Sequence, residues 1–250
     1  MTEFTKLTAD GPIRHLMLDA PQRRNALNLP MLREIAEAVR TVAADDEARA
    51  LVVSGAGKAF CAGADLNTMF GDIDRRPAEI REDLKRVYAS FLGIKDLTIP
   101  TIAAVGGVAV GAGVNIALAC DIVIAGPRAK FALTFAEIGL HPGGGSSWFL
   151  TRRMGTGRAM CALLGAEVLD AGQAYETGLA TRLADDPLAE ATSLAQLYAR
   201  RDPALVRDLK RAVQMSQAAD LDTVLEFESW AQASAVTKPR FQEYMADFLR

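Results

Sequence analysis

A chain of 250 residues, half of them hydrophobic, can bury a full core, while a net charge of -3 with no basic stripe argues against non-specific nucleic-acid binding. Its three cysteines, Cys61, Cys120 and Cys161, are an odd number at spacings that match no metal or redox motif, so reduced thiols in a cytoplasmic protein are expected, with no metal site. The opening MTEFTKLTADG holds no apolar run of the kind a secretion signal needs.

In chain order, "IRHLML" (13–18) and "ALVVS" (50–54) read as strands. Between them, "MLREIAEAVRTVAAD" places Leu32, Ile35, Ala36 and Val39 at helical spacing. "SGAGKAF" (54–60) lacks the spacing of a nucleotide phosphate loop, and Ala59 stands where a hydroxyl residue would be required. "KAFCAGADL" (58–66) reads as a strand, small residues and a helix start. Residues 78–95 read as a helix with Ile80, Leu84, Val87, Tyr88 and Phe91 on one face, and with Glu79, Glu82, Asp83 and Arg86 largely opposite.

Residues 97–120 then run for 24 positions without a charge, long enough to span a bilayer. Pro100 interrupts the run, four glycines follow, and its apolar members are mostly Ala and Val. The expected structure is therefore a buried strand, "TIAAV", a glycine turn, and a buried helix from about Ala112 to Ala119, with no membrane span. "DIVIAG" and "FAL" are two further strands. From Pro187 the pattern is wholly helical, and Phe241, Tyr244, Met245, Phe248 and Leu249 form a one-sided stripe. The fold class is α/β, with a body over 1–186 and a C-terminal helical region over 187–250.

The chemistry concentrates in two small-residue turns, CAGAD and VGAG, each following a strand. Such turns can aim two backbone N–H groups at one oxygen and stabilise an oxyanion without side chains. On spacing alone, two ordinary glycine turns remain the alternative.

The motifs "RRNALN", "GKAFCAGADL", "TIAAVGGVAVGAG", "ALACDIVIA" and "GLHPGGG" stand in an order and spacing that resembles the crotonase superfamily, the enoyl-CoA hydratase/isomerase family, strongly over about 10–185 and loosely in the tail. The resemblance implies a crotonase-like spiral of ββα units whose C-terminal helices take part in trimerisation, giving a homotrimer or a dimer of trimers. It implies an acyl-CoA ligand and no separate cofactor. The thioester oxygen would accept bonds from the N–H groups of Ala64 and Ala112. Arg24, beside Arg23, and Lys58 would meet the CoA phosphates, and Ala26, Ala62, Gly63, Asp65 and Leu66 would border the adenine and pantetheine.

The same resemblance exposes a departure. Where the family's hydratases carry two catalytic glutamates, this chain has Asn115 and Phe135, and where some of its isomerases carry an aspartate it has Gly143. Asn115 can orient a water but cannot shuttle protons at neutral pH. His141, in GLHPGGG, is the expected substitute, because histidine titrates near neutrality. Glu137, Glu82, Asp83, His15 and Cys61 are weaker candidates, each with a simple structural reading. Three functions follow: a CoA-thioester lyase or isomerase with atypical acid/base groups, a non-catalytic acyl-CoA binder, or another enolate reaction such as hydrolysis or decarboxylation.

Overall fold

The computed structural model of the chain describes residues 3–72 and 74–250. An antiparallel pair opens it, β1 (Thr5–Asp10) against β2 (Ile13–Leu18). Helix α1 (Leu29–Ala43) starts where the Asn28 side chain accepts the N–H of Met31 at 2.9 Å. Its Met31, Leu32, Ile35, Ala38, Val39 and Val42 are buried, one apolar stripe at helical spacing.

From β3 (Ala50–Gly55) onward the chain repeats one design: a strand in a first sheet, a short strand in a second, then helix. The first round continues with β4 (Ala59–Cys61), α2 (Leu66–Phe70) and α3 (Pro77–Asp96). The second is β5 (Thr101–Val105), β6 (Val108–Val110) and α4 (Ala112–Ala119). The third is β7 (Ile122–Ala125), β8 (Lys130–Ala132) and α5 (Ser146–Leu164). Then β9 (Val168–Asp170), α6 (Ala171–Glu176) and β10 (Arg182–Leu183) complete the sheets. The first sheet has the order β1-β2-β3-β5-β7-β10 and the second β4-β6-β8-β9. This is the crotonase-like spiral.

One expectation is corrected here. No single glycine turn joins TIAAV to its helix: β6 intervenes, paired in parallel with both β4 and β8. Three residues between glycines carry too little pattern to be read as a strand, and neighbouring turns of the spiral supply the pairing. The spiral also explains why the stretch is small and neutral. A β-carbon on Gly113 would sit 2.3 Å from the Cys61 carbonyl oxygen, so the first turn of α4 lies directly on β4.

The last four elements are α7 (Pro187–Ala199), α8 (Pro203–Met215), α9 (Leu221–Val236) and α10 (Pro239–Phe248). Although α7 follows the last strand, its Ala191, Leu194 and Ala195 close the far face of the first sheet on Ile13, Val52, Ile102 and Ile124. Packing thus carries the body past residue 186. Beyond it, α8 is held by Lys210, whose ammonium meets the Asp121 carboxylate at 2.7 Å and donates to the Ile99 carbonyl at 2.9 Å. Trp230, Phe241, Tyr244, Phe248 and Leu249 are exposed on α9 and α10 and just after them. Among the described residues no helix is long and apolar enough to cross a membrane.

Candidate active site

Three chain segments build the site from backbone. Residues 20–27 are pinned by Asn25, a buried residue at φ 55. Its Nδ2 lies within 3.1 Å of the carbonyl oxygens of Ala56, Ala59 and Phe60, and its Oδ1 accepts the Ala20 N–H at 2.8 Å. This loop pairs with the CAGAD turn. Leu27 N–H donates to Gly63 O at 2.7 Å, and Asp65 N–H donates to Leu27 O at 2.9 Å. Parallel pairing alternates sides, so Ala64 N–H faces away from that partner. Ala112 is the first residue of α4, and its N–H has no carbonyl a turn earlier to bond. Among the described residues neither N–H has an acceptor.

The two turns that carry these groups are packed together. Gly63 has φ 84, and a β-carbon on it would lie 2.6 Å from Val110 O and 3.8 Å from Ala112 N. Only glycine fits there, for conformation and for space. Two unpaired N–H groups on touching turns, one of them at a positive helix end, favour developing negative charge.

The acid/base positions lie beside α4. Asn115, 1 % exposed, donates from Nδ2 to Gly143 O at 2.8 Å. Ser146 Oγ has Asn115 Oδ1 at 2.7 Å and Gly143 O at 3.0 Å within reach. The carboxamide is thereby fixed as a clamp on the HPGGG loop. The Phe135 ring sits on Gly111, 3.3 Å from where a β-carbon would be, next to the start of α4. Gly143 and Gly144 press on Tyr88, Phe91 and Asn115. His141 is exposed, and its Nδ1 donates to Pro142 O at 2.7 Å, which leaves Nε2 as the acceptor nitrogen of the neutral ring.

The remaining candidates divide clearly. Arg24 and Lys58 are exposed and have no ion-pair partner among the described residues. Arg23, by contrast, meets Asp65 at 2.5 Å. Asp65 also caps α2, and the Thr68 N–H, with help from Arg23, holds its carboxyl below the usual range. Ala26, Ala62 and Ala64 are half-buried, Gly63 is buried and Leu66 is exposed. Glu137 is exposed, Glu82 pairs with Arg81 and Lys85, and Asp83 pairs with Arg75 and Arg86. His15 bonds Ser54 Oγ at 2.7 Å, on strands away from these turns. Cys61 donates its S–H to Asn25 O at 3.1 Å, and burial pushes its thiol up to about 12, so it is no thiolate nucleophile.

The sequence reading left Asn25, Ser146 and Tyr88 without a role. The polar Asn25 and Ser146 beside small residues were a weak signal. Tyr88 counted as one more apolar residue on its helix face.

A family model described as enoyl-CoA hydratase/isomerase matches residues 9–250. The chain belongs to the enoyl-CoA hydratase/isomerase family. It is 40% identical over 246 residues to a probable enoyl-CoA hydratase of Mycobacterium tuberculosis, covering 96% of this chain and 95% of the relative. It is 37% identical over 253 residues to the 1,2-epoxyphenylacetyl-CoA isomerase of Escherichia coli, covering 100% of this chain and 96% of that one. The crystal structure of an enoyl-CoA hydratase from a Polaromonas species superposes with a TM-score of 0.90 at 30% identity, covering 98% of this chain and 96% of that chain. As a member of this enoyl-CoA hydratase/isomerase family the chain is an enzyme of that type, and an acyl-CoA substrate is consistent with it.

Proposed function

We propose that this enzyme binds acyl-CoA thioesters and works through an enolate whose oxygen is held by the N–H groups of Ala64 and Ala112. The observation that carries the reading is that these two unpaired donors sit on turns in mutual contact, at Gly63 and Val110. One such donor contributes about 3–4 kcal/mol in the transition state. Arg24 and Lys58 meet the CoA phosphates, and Ala26, Ala62, Gly63, Asp65 and Leu66 border the adenine and pantetheine.

Proton transfer is the part that departs from the family's pattern. Asn115 acts as a positioning residue, holding the 141–146 loop against α4. His141 Nε2 has a free lone pair and serves as the base for an attacking water. With Asn115 and Phe135 at the usual acid positions, hydration of a short 2-enoyl-CoA is slow. The exposed apolar residues of α9 and α10 are covered in a homotrimer or a dimer of trimers. A cytoplasmic location is part of this reading, supported by three cysteines that form no disulfide.

Isothermal titration with several acyl-CoAs and with free CoA tests the reading. Acyl-CoAs are expected to bind more tightly than CoA alone. No binding of any acyl-CoA at millimolar concentration would overturn it.

A further inference from the structure

Where α3, α4 and the HPGGG loop meet, the space in front of Gly143 is filled by the hydroxyl of Tyr88. A β-carbon on Gly143 would lie 2.2 Å from Tyr88 Oη. A β-carbon on Gly144 would lie 2.7 Å from Asn115 Nδ2 and 3.5 Å from the Tyr88 ring. The carbonyl of the Gly143 that the phenol covers is bonded by Asn115, and Asn115 lies about one turn along α4 from Ala112, which carries the proposed oxyanion donor. The Asn115 amide and the Ser146 hydroxyl are much weaker acids than a phenol, and the Phe91 and Phe135 rings supply no proton.

We infer that Tyr88 is a catalytic residue, the proton donor to the α-carbon of the enolate. The inference rests on the enolate reading above. Burial holds the phenol above its ordinary range, so at neutral pH it is protonated and can give a proton. In the step, the Tyr88 O–H bond breaks while the enolate's electron pair forms the α C–H bond, and the thioester C=O is restored. A phenolate is left behind beside the Gly143–Gly144 backbone. It regains a proton from solvent, which in an addition receives, by way of His141, the proton lost by the water that attacked the β-carbon. Run backward, the same path exchanges α-hydrogens with solvent.

The test follows α-hydrogen exchange of butyryl-CoA in deuterated water by NMR, with butyryl-CoA binding measured by calorimetry on the same samples. Two variants reach the hydroxyl by different routes. Tyr88→Phe removes it, and Gly143→Ala pushes it aside by contact with the end of a movable side chain. Both are expected to bind butyryl-CoA within about twofold of the wild type while exchange falls about 10²–10⁴-fold. Unchanged exchange in Tyr88→Phe overturns the role. Binding lost in step with exchange also overturns it, since the hydroxyl would then only brace the loop. Wild-type protein that binds butyryl-CoA without exchanging it overturns the tyrosine role alone. Wild-type protein that binds no acyl-CoA overturns the enolate reading, and this role with it.

Discussion

Gly63 lies so close to Val110 that a methyl group on it would stand 2.6 Å from the Val110 carbonyl oxygen. This contact, between the CAGAD turn and the entry to α4, sets the spacing of the two proposed oxyanion donors. Gly63→Ala must both adopt φ 84 and move the turn. A loss of about 1–3 kcal/mol of stability is expected, read by urea denaturation, with weaker acyl-CoA binding in the same variant.

Removing a single donor is a cleaner change. Ala112 opens α4, and proline at a first helical position forfeits only an N–H that has no intrahelical partner. Ala112→Pro is expected to keep the fold by circular dichroism and to slow α-hydrogen exchange of bound butyryl-CoA about 10²–10³-fold. An unchanged exchange rate would remove Ala112 from the mechanism.

Asn115 and Ser146 form the clamp on the HPGGG loop. Ser146→Ala is expected to cost about 1 kcal/mol, the worth of one hydrogen bond. Asn115→Asp replaces the donor to Gly143 O with a buried carboxylate facing a carbonyl, for about 3 kcal/mol or more at pH 7. That carboxyl would titrate above its unfolded value, so the variant should recover stability as pH falls. Equal losses in the two variants, with no pH dependence in Asn115→Asp, would contradict the clamp.

Much of the fold was legible because its elements announce themselves locally. The α4 helix runs from Ala112 to Ala119 as its neutral, small composition suggested, and β2 is IRHLML. What could not be read was set by contacts between turns of the spiral. β6, β9 and β10 are two or three residues long and exist through their partners. The helical pattern of α5 is broken at Gly155, φ 79, and by its arginines, so no stripe marks it. In the site, the motifs located the two turns. Asn115 meets Ser146 from 31 residues away, and Tyr88 meets Gly143 from another helix, so neither pairing leaves a trace in local spacing.

His15 gives the protein an acid limit unconnected with the site. Burial lowers its folded pKa below the ordinary 6.5. The unfolded chain therefore binds the proton more readily, and stability rises with pH across this window. Stability is present above about pH 6.5 and is lost as pH falls toward the lowered folded value. Urea denaturation at pH 7.5 and 5.5 should show this difference in wild type and a smaller one in His15→Gln. An equal difference in both would assign the acid sensitivity to other groups.

The central claim is that backbone N–H groups polarise a thioester carbonyl. Isotope-edited infrared spectroscopy of crotonyl-CoA labelled with ¹³C at the thioester carbon reports on that bond directly. Bound to this protein, the carbonyl band is expected to move to lower frequency than in water and to move part of the way back in Ala112→Pro. A band that stays at its solution frequency in a complex shown by calorimetry to be saturated would contradict the account.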